Sequence, residues 1–582
     1  MARRLASGTD GVCGVLALLA GGVMVFGGCS GSGSRIDRDI QTLVREQNER
    51  LREELREAAI PSSGPDRASA RQLDKKPETT NPPAKELAFV EASADRDVQA
   101  RLQQLLSQSG GYEGTMTQDA VQLGRLLSLE DSLRTSQETG REFLSAQEEY
   151  LLSAIRLLQE RHLWGPRLFN DTTLTFGASG EDGRFDPALD LVNSLRATKR
   201  LPFGGEVEAK WLWNATENLR ETTTGRYVQS SEIVLSGRVP LLRGAGSIAR
   251  EDLIQAERDL VYQSRTFERF RRNYLVDIAS DYFQLLETRA QIVNQMRQLE
   301  SLQKFGAATE ARVRAGRKEA FQTDITSNQI NSAKSALADL RESYVLQLDR
   351  FKVRLGLGIN DRLELSDEIF SLPEPAADLE AATSNALSLR LDLQNSADRL
   401  EDAKRSVVNA KDGLLPDLDL RGEVGVPTDP DAREGGAMFD PDETRYSASA
   451  TLSLPLNRER ERLAVRSAQI RLERAQRDHQ QLVDNVAVNV RSAVRGIERA
   501  RLQLDLAEQQ VEINRRRLRA QQLQEDTVEP QQIVDTNNDL LNAENARDRA
   551  RTRLRTAILR YLLETDQLRV TRDGLLERLP GM

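Results

Sequence analysis

Strict alternation of apolar and polar positions predicts β-strands at several short segments of this chain. The apolar face of the stretch 206–215 consists of Val207, Ala209, Trp211, Trp213 and Ala215. The apolar face of the stretch 445–454 consists of Tyr446, Ala448, Ala450, Leu452 and Leu454. Since successive side chains of a strand point to opposite faces, both segments predict strands with one apolar and one polar face. Such strands occur in a barrel wall between lipid and water or in a soluble sheet with one solvated face, and alternation alone leaves both open.

A second spacing, alternating between four and three residues, predicts a long helix over 458–524. The positions that follow this spacing are Val486, Val490, Ala493, Ile497, Ala500, Leu504, Ala507 and Val511. They form a heptad seam, in which the Ala layers allow neighbouring helices to approach closely. A helix over the whole segment would be roughly 100 Å long, which is far longer than a compact domain requires.

One order of elements occurs twice along the chain, in the units 116–358 and 359–570. The first unit predicts a helix over 116–164, strands at 172–178 and 231–241, a helix over about 247–305, a break at 315–317 and a helix ending near 353. The second predicts a helix over 376–412, strands at 417–426 and 445–456, the helix 458–524, a break at 525–530 and a helix over 531–565. The motif at 328–333 also matches the motif at 538–543. We interpret these units as internal repeats, followed by a short tail at 571–582.

The insertion of strands between long helices constrains the fold more than either signal alone. A coiled-coil rod would explain the heptads but not the strand pairs, whereas helical hairpins continuous with short barrel strands explain both. Two strand pairs per chain are too few to close a conducting barrel, so several chains must share one. The sequence therefore predicts an α+β membrane protein, in which a shared β-barrel continues into a long α-helical barrel.

Composition and charge exclude several classes of function. Charged residues make up 29% of the chain and aromatic residues 5%, and the net charge is −9. Acidic and basic residues are interleaved, so the sequence shows no basic face of the kind that nucleic acid requires. The two cysteines, Cys13 and Cys29, both lie near the N-terminus. This position excludes a disulfide framework and a cysteine-based metal site in the rest of the chain.

The N-terminal sequence is typical of an exported lipoprotein. Arg3 and Arg4 precede an apolar stretch that is too short to span a bilayer. The stretch ends in Phe-Gly-Gly-Cys29, which resembles a bacterial lipobox. Residues 1–29 are therefore predicted to be a signal peptide with lipid attached at Cys29, and an ordinary signal peptide with an incidental Cys is the alternative. Ser30 after this Cys favours the outer membrane, and residues 30–115 have the composition of a lipid-anchored tether with one charged helical piece.

Five short motifs, in order, resemble the TolC family of outer-membrane efflux proteins over about residues 116–570. They are VPLLRGAG at 239–246, DRFKVRLG at 349–356, ALSLRLDL at 386–393, LLPDL at 414–418 and LLNAEN at 540–545. The resemblance implies a homotrimer, in which a twelve-stranded barrel in the outer membrane continues into a helical tunnel through the periplasm. It implies the exit duct of a tripartite efflux or type I secretion system. The implied partners are a periplasmic adaptor protein and an inner-membrane transporter of the proton-driven (RND) or ATP-binding-cassette (ABC) class.

The resemblance also implies a gate at the tip of the tunnel. Asp535 lies where family members carry an acidic residue at the inner constriction, and three such carboxylates would favour cations and restrict passage. An ordinary solvated helix residue is the alternative. Gln532 occupies the neighbouring family position, and the stretch 525–527 lacks the family's usual Gly. Between the first-half strands, the insertion 180–227 either adds a hairpin outside the membrane or lengthens the wall.

Three further patterns are interpreted as incidental. The stretch 244–249 satisfies the dinucleotide fingerprint, but a long helix follows it instead of a second parallel strand. His162 and His479 lie in different halves of the chain and have no partner at metal-ligand spacing. Four acidic residues in the loop 429–442 allow a weak calcium site, although a solvated loop is favoured: Asp429, Asp431, Asp440 and Asp442.

No enzyme is predicted, because the sequence contains no nucleophile and base at a recognisable spacing, and no cofactor is predicted either. Two rival functions remain open beside the channel. One is a non-conducting, lipid-anchored coiled-coil scaffold of the cell envelope, and the other is a soluble binding protein with a sandwich domain. Membrane fractionation distinguishes a soluble binding protein from a channel. Single-channel conductance distinguishes a non-conducting scaffold from a channel.

Overall fold

The computed structural model describes residues 32–59, 125–181, 184–218, 228–366, 375, 378–428, 438–524, 528–571 and 574–578. Its helices are α1 (Ser32–Ala59), α2 (Leu129–Thr139), α3 (Arg141–Trp164), α4 (Glu251–Arg314), α5 (Phe321–Leu355), α6 (Leu379–Leu389), α7 (Leu391–Asp412), α8 (Glu459–Leu523) and α9 (Pro530–Glu564). Its strands are β1 (Arg125–Leu127), β2 (Arg167–Glu181), β3 (Arg184–Arg200), β4 (Glu206–Asn218), β5 (Val228–Pro240), β6 (Leu363–Leu365), β7 (Asp417–Pro427), β8 (Arg445–Ser453), β9 (Leu568–Val570) and β10 (Leu576–Arg578). Within these ranges, no helix combines the length and the apolar character needed to cross a membrane.

The longest helix, α8, follows from the heptad pattern. It has 65 residues, and each of its ends lies within one residue of the predicted position. Val486, Val490 and Ile497 of the predicted seam are completely buried. The smaller Ala493 and Ala507 pack against the same apolar core. The predicted seam is therefore confirmed as the buried side of this helix.

The helices of the two halves match in order and nearly in length. The helices α2, α3, α4 and α5 have 11, 24, 64 and 35 residues. Their counterparts α6, α7, α8 and α9 have 11, 22, 65 and 35 residues. A three-residue strand precedes each set, and these strands, β1 and β6, pair in parallel with Leu126 opposite Glu364. The helices of the two halves thus follow the same order, whereas the first half has four strands between α3 and α4 and the second has two between α7 and α8.

Two helices that the sequence predicted as continuous are interrupted. The predicted helices 116–164 and 376–412 break at Gly140 and Arg390, where the backbone is extended. Residues 125–127, which were also predicted as helix, form strand β1, and residues 116–124 lie outside the described ranges. A Cβ atom at position 140 would lie 2.3 Å from the hydroxyl oxygen of Tyr274. That hydroxyl group instead donates a hydrogen bond to a backbone carbonyl of α2 at 3.3 Å. Position 140 therefore requires glycine, both because of the local carbonyl oxygen of Ser136 and because of Tyr274, which is distant in sequence.

Six strands form one antiparallel sheet in the order β2, β3, β4, β5, β7, β8. The sequence predicted two strand pairs per chain, and this prediction is wrong because the insertion 180–227 supplies the additional hairpin β3–β4. Strand β3 pairs with β2 on one side and with β4 on the other. The insertion therefore adds two strands to this sheet.

The chain divides into two compact units. The first contains the sheet, and the second contains the large apolar core, which includes the seam of α8. In the first unit, Leu43 and Leu51 of α1 are buried, and the hydroxyl group of Tyr150 donates to the side-chain oxygen of Asn48 at 3.2 Å. Burial raises the pKa of Tyr150. The helical piece of the predicted tether thus has a packed face, while the tether residues 60–115 lie outside the described ranges.

Candidate functional site

One face of the six-stranded sheet carries exposed apolar side chains on every strand, with the hydrogen-bonded Asn170, Thr172 and Asn193 among them. One row across all six strands consists of Leu168, Ala197, Ala209, Leu235, Val424 and Tyr446. Leu235 is 52% exposed and Tyr446 is 84% exposed. Further exposed apolar side chains on this face are Leu174, Phe176, Leu195, Trp211, Ile233, Leu420 and Leu452. Contiguous exposed apolar surface of this kind marks contact with a membrane or with another protein.

The opposite face of the same sheet is polar and charged. The neighbouring row consists of Arg167, Thr198, Glu208, Ser236, Glu423 and Ser447. Arg238 and Asp419 form an ion pair across two strands with an N–O distance of 2.7 Å, and Arg196 and Asp171 form a second one at 3.6 Å. An apolar face backed by a polar face with cross-strand ion pairs is the pattern of a barrel wall that has lipid on one side and water on the other.

The turn between β3 and β4 has a backbone that requires glycine. Gly204 and Gly205 have φ values of 94° and 90°, a left-handed conformation that glycine adopts without strain. A Cβ atom on Gly205 would lie 2.1 Å from the carbonyl oxygen of Arg238, which is on β5. The turn therefore lies directly against the end of β5 that leads into α4.

The glycine motif at 244–249 is in contact with this turn. The backbone N–H of Gly246 donates to the carbonyl oxygen of Phe203 at 2.8 Å. The backbone N–H of Gly244 donates to a carboxylate oxygen of Asp412 at 2.8 Å. Since the turn and α7 occupy these N–H groups, the apparent dinucleotide fingerprint has a structural role at the junction of β5 and α4.

In the second unit, a cluster of charged residues lies at the break between α6 and α7. Arg390 donates to the two carboxylate oxygens of Asp392 at 3.1 and 2.7 Å, and to Glu564 at 2.6 Å. Although burial opposes the charged form, these carboxylates raise the pKa of Arg390. Burial acts against the charge of Asp392 as well, but the hydrogen bond from Arg390 lowers the pKa of this carboxyl group. Two charged residues of the motif 386–393 therefore join the break between α6 and α7 to the end of α9.

A second charge cluster lies deeper and was not identified from the sequence. Arg272 and Asp566 are 1% and 2% exposed, and they form an ion pair with an N–O distance of 2.9 Å. Asp566 has a φ of 56°. Burial and the neighbouring Arg272 lower the pKa of Arg569 to about 10. The two ends of the pair are 294 residues apart in sequence, so no local pattern could have indicated it.

Asp535, the candidate gate residue, lies near the start of α9. The side-chain amide of Gln531 donates to its carboxylate at 2.8 Å. Asp535, Gln531 and Gln532 are exposed, whereas Val534 and Asn537 are buried. Asp535 therefore lies on the side of α9 that faces away from the packing within its own chain.

Close to Asp535, amide side chains join α9 to α4 and α5. The side-chain oxygen of Asn538 accepts hydrogen bonds from Gln298 at 2.6 Å and from Gln329 at 3.1 Å. The hydroxyl group of Ser301 donates to the side-chain oxygen of Asn537 at 3.1 Å. A small apolar cluster nearby contains Leu302, Ala333 and Val534. These amide contacts were not predicted from the sequence, although the matching motifs at 328–333 and 538–543 lie in the same region.

The remaining candidate residues do not assemble into a site. Outside the described ranges lie Cys29, Asp429 and Asp431. Asp440 accepts a hydrogen bond from the backbone N–H of Asp442 at 2.9 Å, and so caps a short helical turn. His479 lies 3.1 Å from the hydroxyl oxygen of Ser396. In the part of the chain that the structure describes, no group of His, Cys, Asp and Glu is arranged to hold a metal ion.

The fold is similar to that of several solved outer-membrane channels. OprN shares 15% identity with a TM-score of 0.58, and the match covers 75% of this chain and 89% of that one. CmeC from Campylobacter jejuni shares 13% identity with a TM-score of 0.58, covering 78% of this chain and 87% of that one. VceC from Vibrio cholerae shares 15% identity with a TM-score of 0.56, and the match covers 75% of this chain and 95% of that one. At such low identities these similarities establish the fold.

The family follows from the sequence itself. No curated protein matches the chain closely enough to count as a relative. The model of the family described as outer membrane efflux protein, however, matches residues 184–356 and 382–527. These segments make up more than half of the chain and include strands of the two-faced sheet together with the long helices α4 and α8. With this match and the fold of solved outer-membrane channels, the chain belongs to the outer membrane efflux protein family.

Proposed function

We propose that this protein is the outer-membrane exit duct of a tripartite efflux or type I secretion system. The observation that carries the proposal is the exposed apolar face of the sheet, backed by a polar face with ion pairs. In an outer membrane the apolar face meets hydrocarbon and the polar face lines water. Helices of 64 and 65 residues supply a path roughly 95 Å long outside the hydrocarbon.

The duct is a homotrimer built from two internal repeats in each chain. In the described sheet, β2 and β8 are the edge strands and each pairs on one side only. Unpaired backbone groups are costly in lipid, so each edge requires a partner strand there. Six strands closed on themselves would leave no room for water, whereas β8 of one copy and β2 of the next can continue a shared barrel.

The chain is anchored in the outer membrane by lipid on Cys29. Helix α1 begins at Ser32, only three positions later, and has a buried face of its own. Diacylation of the sulfur would hold the start of this helix at the membrane surface, because two acyl chains anchor stably. The long helices would then extend into the periplasm.

The periplasmic end opens when an adaptor and an inner-membrane RND or ABC transporter bind it. Three copies of Asp535 would face one another there and favour cations. The neighbouring contacts of α9 are hydrogen bonds between amides such as Asn538 and Gln298. Amides exchange one partner for another or for water at little net cost, so this region suits an opening movement better than an apolar core does.

Conductance of the purified protein in planar bilayers tests the proposal. Detergent-extracted protein is expected to be trimeric by native mass spectrometry and to form cation-selective channels. Trimers that insert into the bilayer without any conductance would support the non-conducting scaffold instead. A monodisperse monomer in mild detergent would contradict the shared barrel.

A further inference from the structure

We infer that each copy contributes six strands to the outer-membrane barrel, so that three copies of six strands enclose an eighteen-stranded pore. This inference rests on the proposed function, and it departs from the twelve strands that the family resemblance implied. The additional strands are β3 and β4. The outer-membrane section of the duct is consequently wide, and it admits bulky solutes.

The first observation is that the hairpin β3–β4 has the same two faces as the other strands. Leu195 of β3 and Trp211 of β4 lie opposite each other, and Trp211 lies opposite Ile233 of β5. All three side chains are more than 40% exposed. A hairpin standing in water outside the membrane would need no apolar face continuous with that of its neighbours, so the continuity indicates that β3 and β4 contact lipid.

The second observation is that the hairpin spans the whole height of the sheet. Strand β2 begins three residues after α3 ends at Trp164, and its first residue, Arg167, pairs with Thr198 near the end of β3. The turn that follows β3 lies against Arg238 of β5 and is bonded to Gly246 just before α4. The turn therefore lies at the helix side of the sheet, and β3 and β4 run from the far side to this side and back.

The third observation is that the strand directions allow closure between copies. All neighbouring strands in the sheet are antiparallel. With six strands, the two edge strands β2 and β8 also run in opposite directions. Strand β8 of one copy therefore pairs with β2 of the next copy without any break in the antiparallel order, and three such junctions close the ring.

Strand number determines the width of the pore. With strands about 4.8 Å apart and tilted by about 40°, eighteen strands give a backbone diameter of roughly 36 Å, and twelve give roughly 24 Å. Side chains occupy about 5 Å at each wall, half the distance between stacked sheets. The lumen is then roughly 26 Å wide instead of roughly 14 Å. A solute about 20 Å across distinguishes the two barrels.

The first experiment tests the path of the hairpin in the full-length chain. Phe203→Cys places a thiol in the turn between β3 and β4, and Met438→Cys places one in the connection between β7 and β8, at the opposite end of the sheet. Both native side chains are exposed, at 51% and 64%. A maleimide attached to a polymer wider than roughly 36 Å, which cannot pass through the pore, is applied to intact cells. Cells that produce the parent chain, which has no Cys at either position, serve as the control. We expect labelling at position 438 only, and labelling at position 203 after the outer membrane is opened.

The second experiment tests the width. A variant that lacks residues 184–218 loses β3, β4 and their turn, and β2 then becomes the neighbour of β5, which keeps the order antiparallel. Polymers of graded size are added to the outer side of planar bilayers that contain either trimer. A polymer about 20 Å across is expected to enter the parent channel and lower its conductance, and to leave the variant unaffected.

The outcomes separate this inference from the proposed function. Labelling of position 203 from outside in intact cells, at the rate of position 438, overturns the eighteen-stranded barrel even if the deletion variant does not fold. The same polymer cut-off in both channels also overturns it, while conduction by the parent leaves the exit duct in place. Absence of labelling at position 438 in intact cells, or trimers that do not conduct, would contradict the proposed function itself.

Discussion

Arginine introduced at two neighbouring positions of β5 should have opposite effects if the sheet is a membrane wall. Leu235 lies near the middle of β5 on the exposed apolar face. Ser236 follows it on the polar face, between Glu208 of β4 and Glu423 of β7. The two variants, Leu235→Arg and Ser236→Arg, therefore add the same side chain one residue apart and differ only in the face that carries it.

The magnitudes follow from the surroundings of each position. An arginine on the lipid face of a barrel destabilises it by roughly 2–4 kcal/mol at the bilayer midplane. On the polar face, an arginine between two glutamates forms favourable cross-strand pairs worth roughly 0.2–1 kcal/mol each. The free energies of unfolding of the two variants should therefore differ by at least about 2 kcal/mol. In a soluble sheet, Leu235→Arg at this exposed position would change stability by less than about 0.5 kcal/mol.

Urea titration of folding into phospholipid vesicles measures these free energies. Fluorescence of the three Trp residues reports the transition, and heat-dependent migration on gels reports the folded trimer independently. Equal midpoints for the two variants, or a parent-like midpoint for Leu235→Arg, would show that the apolar face does not contact lipid. The reasoning about the wall would then be wrong.

Three further predictions concern the anchor, the gate and the buried charges. Cys29→Ala should abolish incorporation of labelled palmitate, since the other Cys lies within the signal peptide, and persistent labelling would refute the lipobox. Asp535→Asn should weaken cation selectivity in a salt gradient without loss of trimers, whereas unchanged reversal potentials would identify Asp535 as an ordinary solvated residue. Asp566→Asn removes the carboxylate that pairs with both Arg272 and Arg569, so that Glu268 alone remains beside the buried Arg272, and it keeps a residue that tolerates positive φ. It should lower stability by roughly 3–5 kcal/mol in denaturant titrations, whereas Asp505→Asn at an exposed position of α8 should change it by less than about 0.5 kcal/mol.

Sequence periodicity predicted the elements whose buried side is determined by the spacing of their own apolar residues. The seam containing Val486 and Ile497 is buried as expected, because a heptad pattern over so many turns leaves one possible buried side. The pair β7–β8 was predicted within a few residues, since its alternation is nearly uninterrupted. The alternation in 206–215 was recognised, but its strand was not placed in the sheet, and β3 was not recognised as a strand.

What the sequence did not predict depends on contacts between distant residues. Position 140 requires glycine partly because a Cβ atom there would clash with the hydroxyl group of the distant Tyr274. Arg272 requires Asp566, which lies almost 300 positions away. At the candidate gate, the family resemblance placed Asp535 on the last long helix, and the structure shows that it is exposed. The amides around Asn538 were not predicted, because an Asn or Gln within a helix resembles an ordinary surface residue until its partner is known.

The exposed apolar face of the sheet also has a consequence for the newly made protein. In the proposed outer-membrane duct, the apolar side chains and the two edge strands of a newly made chain would stand in the aqueous periplasm before insertion, where such surfaces aggregate. The long helices bury their own apolar core within one chain. Biogenesis should therefore proceed in two phases, in which the helices form early while a chaperone holds the strands apart until insertion.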